Sequence, residues 1–263
     1  MPLHPTRRCL IAALALLPLG AGPARARADV PVIAAASDLQ FAIEEIAAAF
    51  TAETGMRVRL ALGSTGNFAR QIRAGAPFEL FMAADEQFII DLHADGLTRD
   101  AGSLYAIGRL ALVAPPGAAL VPDDGLDGLA AMLEAGQITR FAIANPEHAP
   151  YGMRAREALI TRGLWDRLRP ALVMGENVSQ AAAFALSGNA QGGIIALSLA
   201  LAPPIAARAR HALIPDAWHQ PLRQRMALMR NAGPVAQAFH DYLSAPPARA
   251  TLARHGFVLP EGG

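Results

Sequence analysis

The sequence predicts an α/β protein of two lobes, each a mostly parallel sheet flanked by helices. Three observations carry this. Short β-branched apolar runs alternate with helical patterns. The alternation breaks at Pro115-Pro116-Gly117 and then restarts. The chain has 263 residues, enough for two lobes of roughly 100 residues, each with its own core.

Residues 1–28 stand apart. Arg7 and Arg8 open the segment, residues 9–19 are an apolar run, and Ala26-Arg27-Ala28 has the small-x-small form of a cleavage site. This is the pattern of a secretory signal peptide, and the run is short of the roughly 20 residues that cross a bilayer. The two arginines leave the general and the twin-arginine export routes both open. Cys9, the only cysteine, lies inside this leader, so the mature chain is expected to have neither disulfides nor thiolate chemistry. The formal charge of +1 becomes −3 for residues 29–263 once Arg7, Arg8, Arg25 and Arg27 leave with the leader, which disfavours a nucleic-acid partner.

Along the mature chain, residues 30–36 read as a strand and 39–54 as a helix, then 57–62 and 67–74 as a second such unit, and 78–83 and 85–96 as a third. Residues 109–114 are a strand that runs into the proline break. Beyond it the strands are 140–144, 171–175 and 192–197, the helices 151–162 and 179–187, and two closing helices cover 233–243 and 247–255. The expected organisation is a leader at 1–28, a first lobe at 29–112, a second at 113–212, and a return crossing with the rest of the first lobe at 213–263.

Four junctions put small or polar residues where a strand ends and a helix begins: Ala36-Ser37-Asp38, Gly63-Ser64-Thr65-Gly66, Ala149-Pro150-Tyr151-Gly152 and Gly175-Glu176-Asn177-Val178. In open α/β sheets ligands bind at this edge. Ser37 with Gln40, and Asn177 with Gln180, have the spacing of a capping box. Each helix start leaves free N–H groups at the positive end of its dipole, about half an elementary charge, and several in one cleft hold an anion with no cationic side chain. Taken singly, a Ser or Asn here is an ordinary N-cap and a Gly an ordinary turn residue. Gly63-Ser64-Thr65-Gly66 lacks the Gly-Lys-Ser/Thr of a nucleotide phosphate loop.

Several blocks in order, among them Ala34-Ala35-Ala36-Ser37, Gly63-Ser64-Thr65-Gly66, Ala83-Ala84-Asp85, Asn145-Pro146-Glu147-His148-Ala149-Pro150-Tyr151-Gly152, Gly175-Glu176-Asn177-Val178-Ser179-Gln180 and the tail His255-Gly256-Phe257, resemble the periplasmic molybdate-binding proteins of ABC transporters. The resemblance spans residues 29–259. It implies a type II periplasmic-binding-protein fold with the ligand in the cleft between lobes. Ser37 and Ser64 then donate hydroxyl and amide bonds from the first lobe, and Tyr151 and Val178 donate backbone amides from the second. Thr65 and Asn177 are possible additional donors. No metal is ligated by side chains and no cofactor is implied, since molybdenum arrives as molybdate, with tungstate as the other candidate. A membrane permease is the implied partner, a periplasmic monomer the implied state.

Two departures from that family have consequences. Some members place a ligand-bonding tyrosine near residue 196, where this chain has Ala196, so the Tyr151 hydroxyl is the expected replacement. Asp38 sits beside the expected dianion site and is expected to turn away to cap its helix or pair with arginine. Because a dianion only accepts hydrogen bonds, a donor-only pocket rejects protonated phosphate species, and size is left to exclude sulfate.

The rivals are a binder of another oxyanion such as sulfate, and a secreted serine-type hydrolase. No Gly-x-Ser-x-Gly elbow or His-Glu-x-x-His motif supports the enzyme. His148 is expected in a surface or loop-packing role, Asp85 as a cap, and Arg70 and Arg154 on solvated helix faces.

Overall fold

The computed structural model describes residues 30–260; the expected leader lies outside them. The first lobe runs β1 (Val32–Ala36), a 3-10 turn (Ser37–Leu39), α1 (Gln40–Thr54), β2 (Arg59–Gly63), α2 (Thr65–Arg73), β3 (Phe78–Ala83), α3 (Glu86–Ala94) and β4 (Ser103–Gly108). The second runs β5 (Leu110–Ala114), α4 (Asp127–Glu134), β6 (Phe141–Ala144), α5 (Pro150–Thr161), α6 (Trp165–Leu168), β7 (Leu172–Gly175), α7 (Val178–Ala185), β8 (Gly192–Ala196), α8 (Leu197–Ala200), α9 (Pro203–Ala206) and β9 (Arg210–Leu213). The chain then returns as β10 (Leu222–Leu228), α10 (Pro234–Leu243) and α11 (Pro246–Arg254).

The two sheets repeat one plan. Their strand orders are β2-β1-β3-β10-β4 and β7-β6-β8-β5-β9. Each has three parallel strands, then one antiparallel strand, β10 or β5, that has just arrived from the other lobe, and an edge strand, β4 or β9, antiparallel to that one. The parallel strands β1, β6 and β8 are apolar throughout because helices cover both faces. In the first sheet Ile33, Leu80 and Met82 face the core that holds Phe50 and Phe239, while Ala34, Phe81 and Ala83 face the core that holds Phe68 and Ile89, the period-two alternation of a strand. Phe50 meets Phe239 edge-on with centroids 5.1 Å apart, docking the returning α10 on α1.

The first crossing comes earlier than the sequence implied. Leu110 pairs with Ala196 in the second sheet, so the chain changes lobe at Arg109 and not at 112/113. The cause is β4, which the sequence reading passed over; it supplies the first sheet's edge and turns into β5 with no proline to mark the change. Arg109 on this crossing lies 2.5 Å from Asp216 on the return, tying the two connections together. The helices expected at 39–54, 67–74, 85–96, 151–162, 179–187, 233–243 and 247–255 are present within a few residues, whereas α4, the short α6, α8 and α9, and β9 and β10 were not foreseen. Among the described residues no helix is long and apolar enough to cross a membrane.

Candidate functional site

The four junctions converge where the lobes face each other. Ser37, Asp38, Ser64 and Thr65 from the first lobe and Pro150, Tyr151 and Val178 from the second line one cavity of about 10 Å³. Asn177 is not among the lining residues.

Ser37 follows β1 directly. The capping box expected with Gln40 does not form, because a 3-10 turn intervenes and the Ser37 hydroxyl oxygen instead accepts the Ser179 amide of the other lobe at 3.3 Å. The Ser179 hydroxyl donates to the Ser37 carbonyl at 2.8 Å. The hydroxyl proton of Ser37 thus remains available to a third partner. Ser64 is the N-cap of α2, its Oγ accepting from the Asn67 amide at 3.3 Å. Thr65 Oγ1 accepts the Ala84 amide at 3.0 Å, which again leaves a hydroxyl proton beside the cavity.

The second lobe offers backbone. Pro150 opens α5, and the first α-type bond runs from Met153 N–H to the Ala149 carbonyl, so the Tyr151 N–H has no acceptor within the helix. Asn177 caps α7 by accepting the Gln180 amide at 3.0 Å, while the Gln180 side chain reaches back to the Glu176 amide at 2.7 Å. The box forms one residue wider than the sequence implied, and it commits the Asn177 side chain to the helix and leaves the Val178 N–H free.

The cleft is held shut by direct bonds between lobes. His148, expected in a surface or packing role, is only 8 % exposed and spans the gap: Nδ1 lies 2.8 Å from Ser64 Oγ, and its carbonyl accepts the Gly66 amide at 2.9 Å. A Cβ on Gly66 would stand 2.6 Å from that carbonyl oxygen, so only glycine permits the approach. Asn67 donates to Glu176 at 3.1 Å, and Arg154, expected on a solvated face, bridges to Asp85 at 2.8 Å. Asp85 also caps α3 as expected, accepting from Gln87 N–H. Arg70 stays exposed, bonded to Asn67.

Asp38 departs from expectation. It is buried in the cavity wall, unpaired with arginine, and no cap to its helix. Its Oδ2 accepts from Gln224 Nε2 at 2.6 Å, and the Tyr151 hydroxyl lies beside the same carboxyl group. Burial is the larger influence and lifts its pKa to about 6 against the lowering effect of these bonds. The Tyr151 hydroxyl is therefore engaged below the cavity, where it also accepts from Gln224 at 3.2 Å, and does not stand in for a donor near residue 196. Gly108 makes room for it, since a Cβ there would collide with the hydroxyl. Ala196 does not line the cavity.

Gln224, Ser179 and Ser198 were missed by the sequence reading. Gln224 had a signal: in the run Leu222 to Met226, alternation puts it on the same buried face as those two apolar residues. The serines had none, because their partners, the Ser37 and Asp38 carbonyls, are about 140 and 160 positions away in sequence.

No basic side chain lines the cavity. What converges is a set of neutral donors at three helix starts, the composition that grips an oxyanion. Ser64 and His148, with Glu176 Oε2 3.6 Å from the far ring nitrogen, also have the order of a hydrolytic triad. The pair joins the two lobes beside space for about one water.

Two α/β lobes joined by two crossings, with a donor-lined cleft between them, define a two-lobed solute-binding protein. The family model for bacterial extracellular solute-binding proteins matches residues 31–258, and the chain belongs to that family, which is not an enzyme class. It is 36 % identical to the molybdate-binding protein ModA of Azotobacter vinelandii over 92 % of this chain and 95 % of that one. Identity is 34 % to ModA of Rhodobacter capsulatus over 96 % and 97 % of the two chains. The solved structure of the Azotobacter vinelandii periplasmic molybdate-binding protein superposes with a TM-score of 0.79 at 29 % identity, covering 89 % of this chain and all of that one. The sulfate-binding protein SubI of Mycobacterium tuberculosis shares the fold at a TM-score of 0.72 with 17 % identity, over 89 % and 87 % of the chains.

Proposed function

We propose that this chain captures molybdate in the periplasm and delivers it to the permease of an ABC importer. The observation that carries the reading is the cavity wall, in which the Ser37, Ser64 and Thr65 hydroxyls face the free Tyr151 and Val178 amides across the closed cleft. The relatives named as molybdate-binding, at 32–36 % identity over nearly the whole chain, give the ion.

Molybdate is a full dianion at neutral pH, so each oxygen accepts and none donates. Hydroxyls and helix N-terminal amides supply donors and partial positive charge without a bound cation, and a chain of net charge −3 loses nothing by it. At about 10 Å³ the cavity holds little more than a water as the lobes stand. Four oxygens around a metal centre hold the lobes slightly wider, so discrimination against sulfate rests on how many donors still reach the ion at that separation. Each bond that sulfate fails to make costs about 1 kcal/mol. Tungstate, with the same charge and shape, is the second ligand of this site, and the protein works as a monomer that presents the closed lobes to the permease.

Calorimetric titration of the mature chain tests this. Molybdate and tungstate bind one per chain and about a hundredfold or more tighter than sulfate, the equivalent of two or three lost bonds. Equal affinity for sulfate overturns the assignment.

A further inference from the structure

Asp38 is the one carboxyl group in the cavity wall. Its surroundings on every side are neutral. From β4 the Tyr105 hydroxyl donates to Gln224 Oε1 at 2.8 Å. That fixes the amide of Gln224 on β10, so its Nε2 donates to Asp38 Oδ2 and to the Tyr151 hydroxyl. From α5 the Tyr151 hydroxyl accepts that bond and lies beside the Asp38 carboxyl group. From α8 the Ser198 hydroxyl bonds the Asp38 carbonyl at 2.8 Å. Arg223 and Arg225, on either side of Gln224, are turned to Glu86. At the cleft, His148 is bonded to Ser64 with Glu176 at its far ring nitrogen, and Arg154 is paired with Asp85. No cation reaches Asp38, and its Oδ1 is buried with no protein partner.

A carboxylate so placed would share a low-dielectric cavity with a dianion, and like charges that close repel strongly even at an effective dielectric of about 20. One proton removes that repulsion and turns the free oxygen into a donor.

Taking the proposed molybdate site as given, we propose that Asp38 enters the complex as the neutral carboxylic acid, Oδ1 carrying a proton taken from solvent and donating it as a hydrogen bond to the bound oxyanion. Capture of each ion is then coupled to uptake of one proton. The empty site holds this proton only below pH about 6; the dianion extends that range upward. Above pH 6 affinity falls about tenfold per pH unit until the pKa of the liganded site is reached, and below it levels off.

The test is titration of the mature protein with molybdate at pH 7.5 in two buffers of different ionisation enthalpy. Close to one proton is taken up per ion. Asp38→Asn, whose amide oxygen accepts from Gln224 and whose NH2 donates into the cavity, takes up none and binds at pH 8 as tightly as wild type at pH 6. His148→Gln retains the uptake. Molybdate binding by wild type with no proton uptake, or undiminished uptake in Asp38→Asn, overturns the inference while leaving the molybdate site standing. Failure of wild type to bind molybdate overturns both.

Discussion

The two walls of the cleft offer the same chemistry by different means. The first lobe presents side chains, the hydroxyls of Ser37, Ser64 and Thr65, each with its oxygen accepting a backbone amide; the protons of Ser37 and Thr65 are left for another partner, while the Ser64 hydroxyl is bonded to His148. The second presents backbone, the N–H groups of Tyr151 and Val178, left free by Pro150 and by the Asn177 cap. A donor of the first kind can be deleted by one methyl-for-hydroxyl change, while one of the second kind is untouched by almost any side chain. The contrast also explains why sequence reading named Ser37 and Ser64 for what they carry, but Tyr151 and Val178 only for where they stand.

Substitutions can break this comparison from either wall. The largest effect is expected from Ser37→Ala and Ser64→Ala combined. A hydrogen bond to a charged acceptor is worth about 1.5 to 3 kcal/mol, so each change weakens molybdate binding roughly ten- to hundredfold and the pair by more than either alone, read by calorimetry. Val178→Pro comes next. Proline fits the first position of a helix, and Asn177, with φ −150° and ψ 174°, already has the extended backbone that precedes it. The variant therefore deletes one amide donor, with an expected loss of about tenfold or more and little change in melting temperature. Val178→Ala, which keeps the N–H, stays within a fewfold of wild type. Equal loss in both would show that the side chain matters and the amide does not.

Asn177→Ala acts a step removed. It loses a cap worth about 1 kcal/mol and lowers the melting temperature by roughly 2–4 °C, while binding falls only fewfold because the Val178 N–H remains. The smallest expected effect is a pH dependence of stability at Asp38. Its folded pKa lies above its ordinary value of 3.8, near 6, so the group's contribution is fully present below pH 3.8 and is lost as pH rises through 6. Asp38→Asn is then more heat-stable than wild type at pH 8, by a margin that shrinks toward pH 4, in scanning calorimetry without ligand.

The βα units of both lobes were legible because period and punctuation agree: apolar strands, Ser64 and Asn177 before helices, Gly55 after α1. The crossing at Arg109 was not, because a strand beginning at Arg109 has no local mark of which sheet it joins, and only pairing separates Gly108 in the first sheet from Leu110 in the second. Asp38 was misjudged for a related reason. Its fate depends on Gln224, Tyr105 and Tyr151, drawn from β10, β4 and α5, and local sequence says nothing of partners that far away. His148 shows the same limit, since only closure of the lobes brings it to Ser64.

The most direct test is a crystal structure of the mature chain with tungstate, read from the anomalous signal of the metal. The account predicts one strong peak between the lobes, with oxygens within hydrogen-bond distance of the Ser37 and Ser64 hydroxyls and of the Tyr151 and Val178 amides. A peak held by arginine side chains on the surface, or one bonded to a single lobe only, would contradict it.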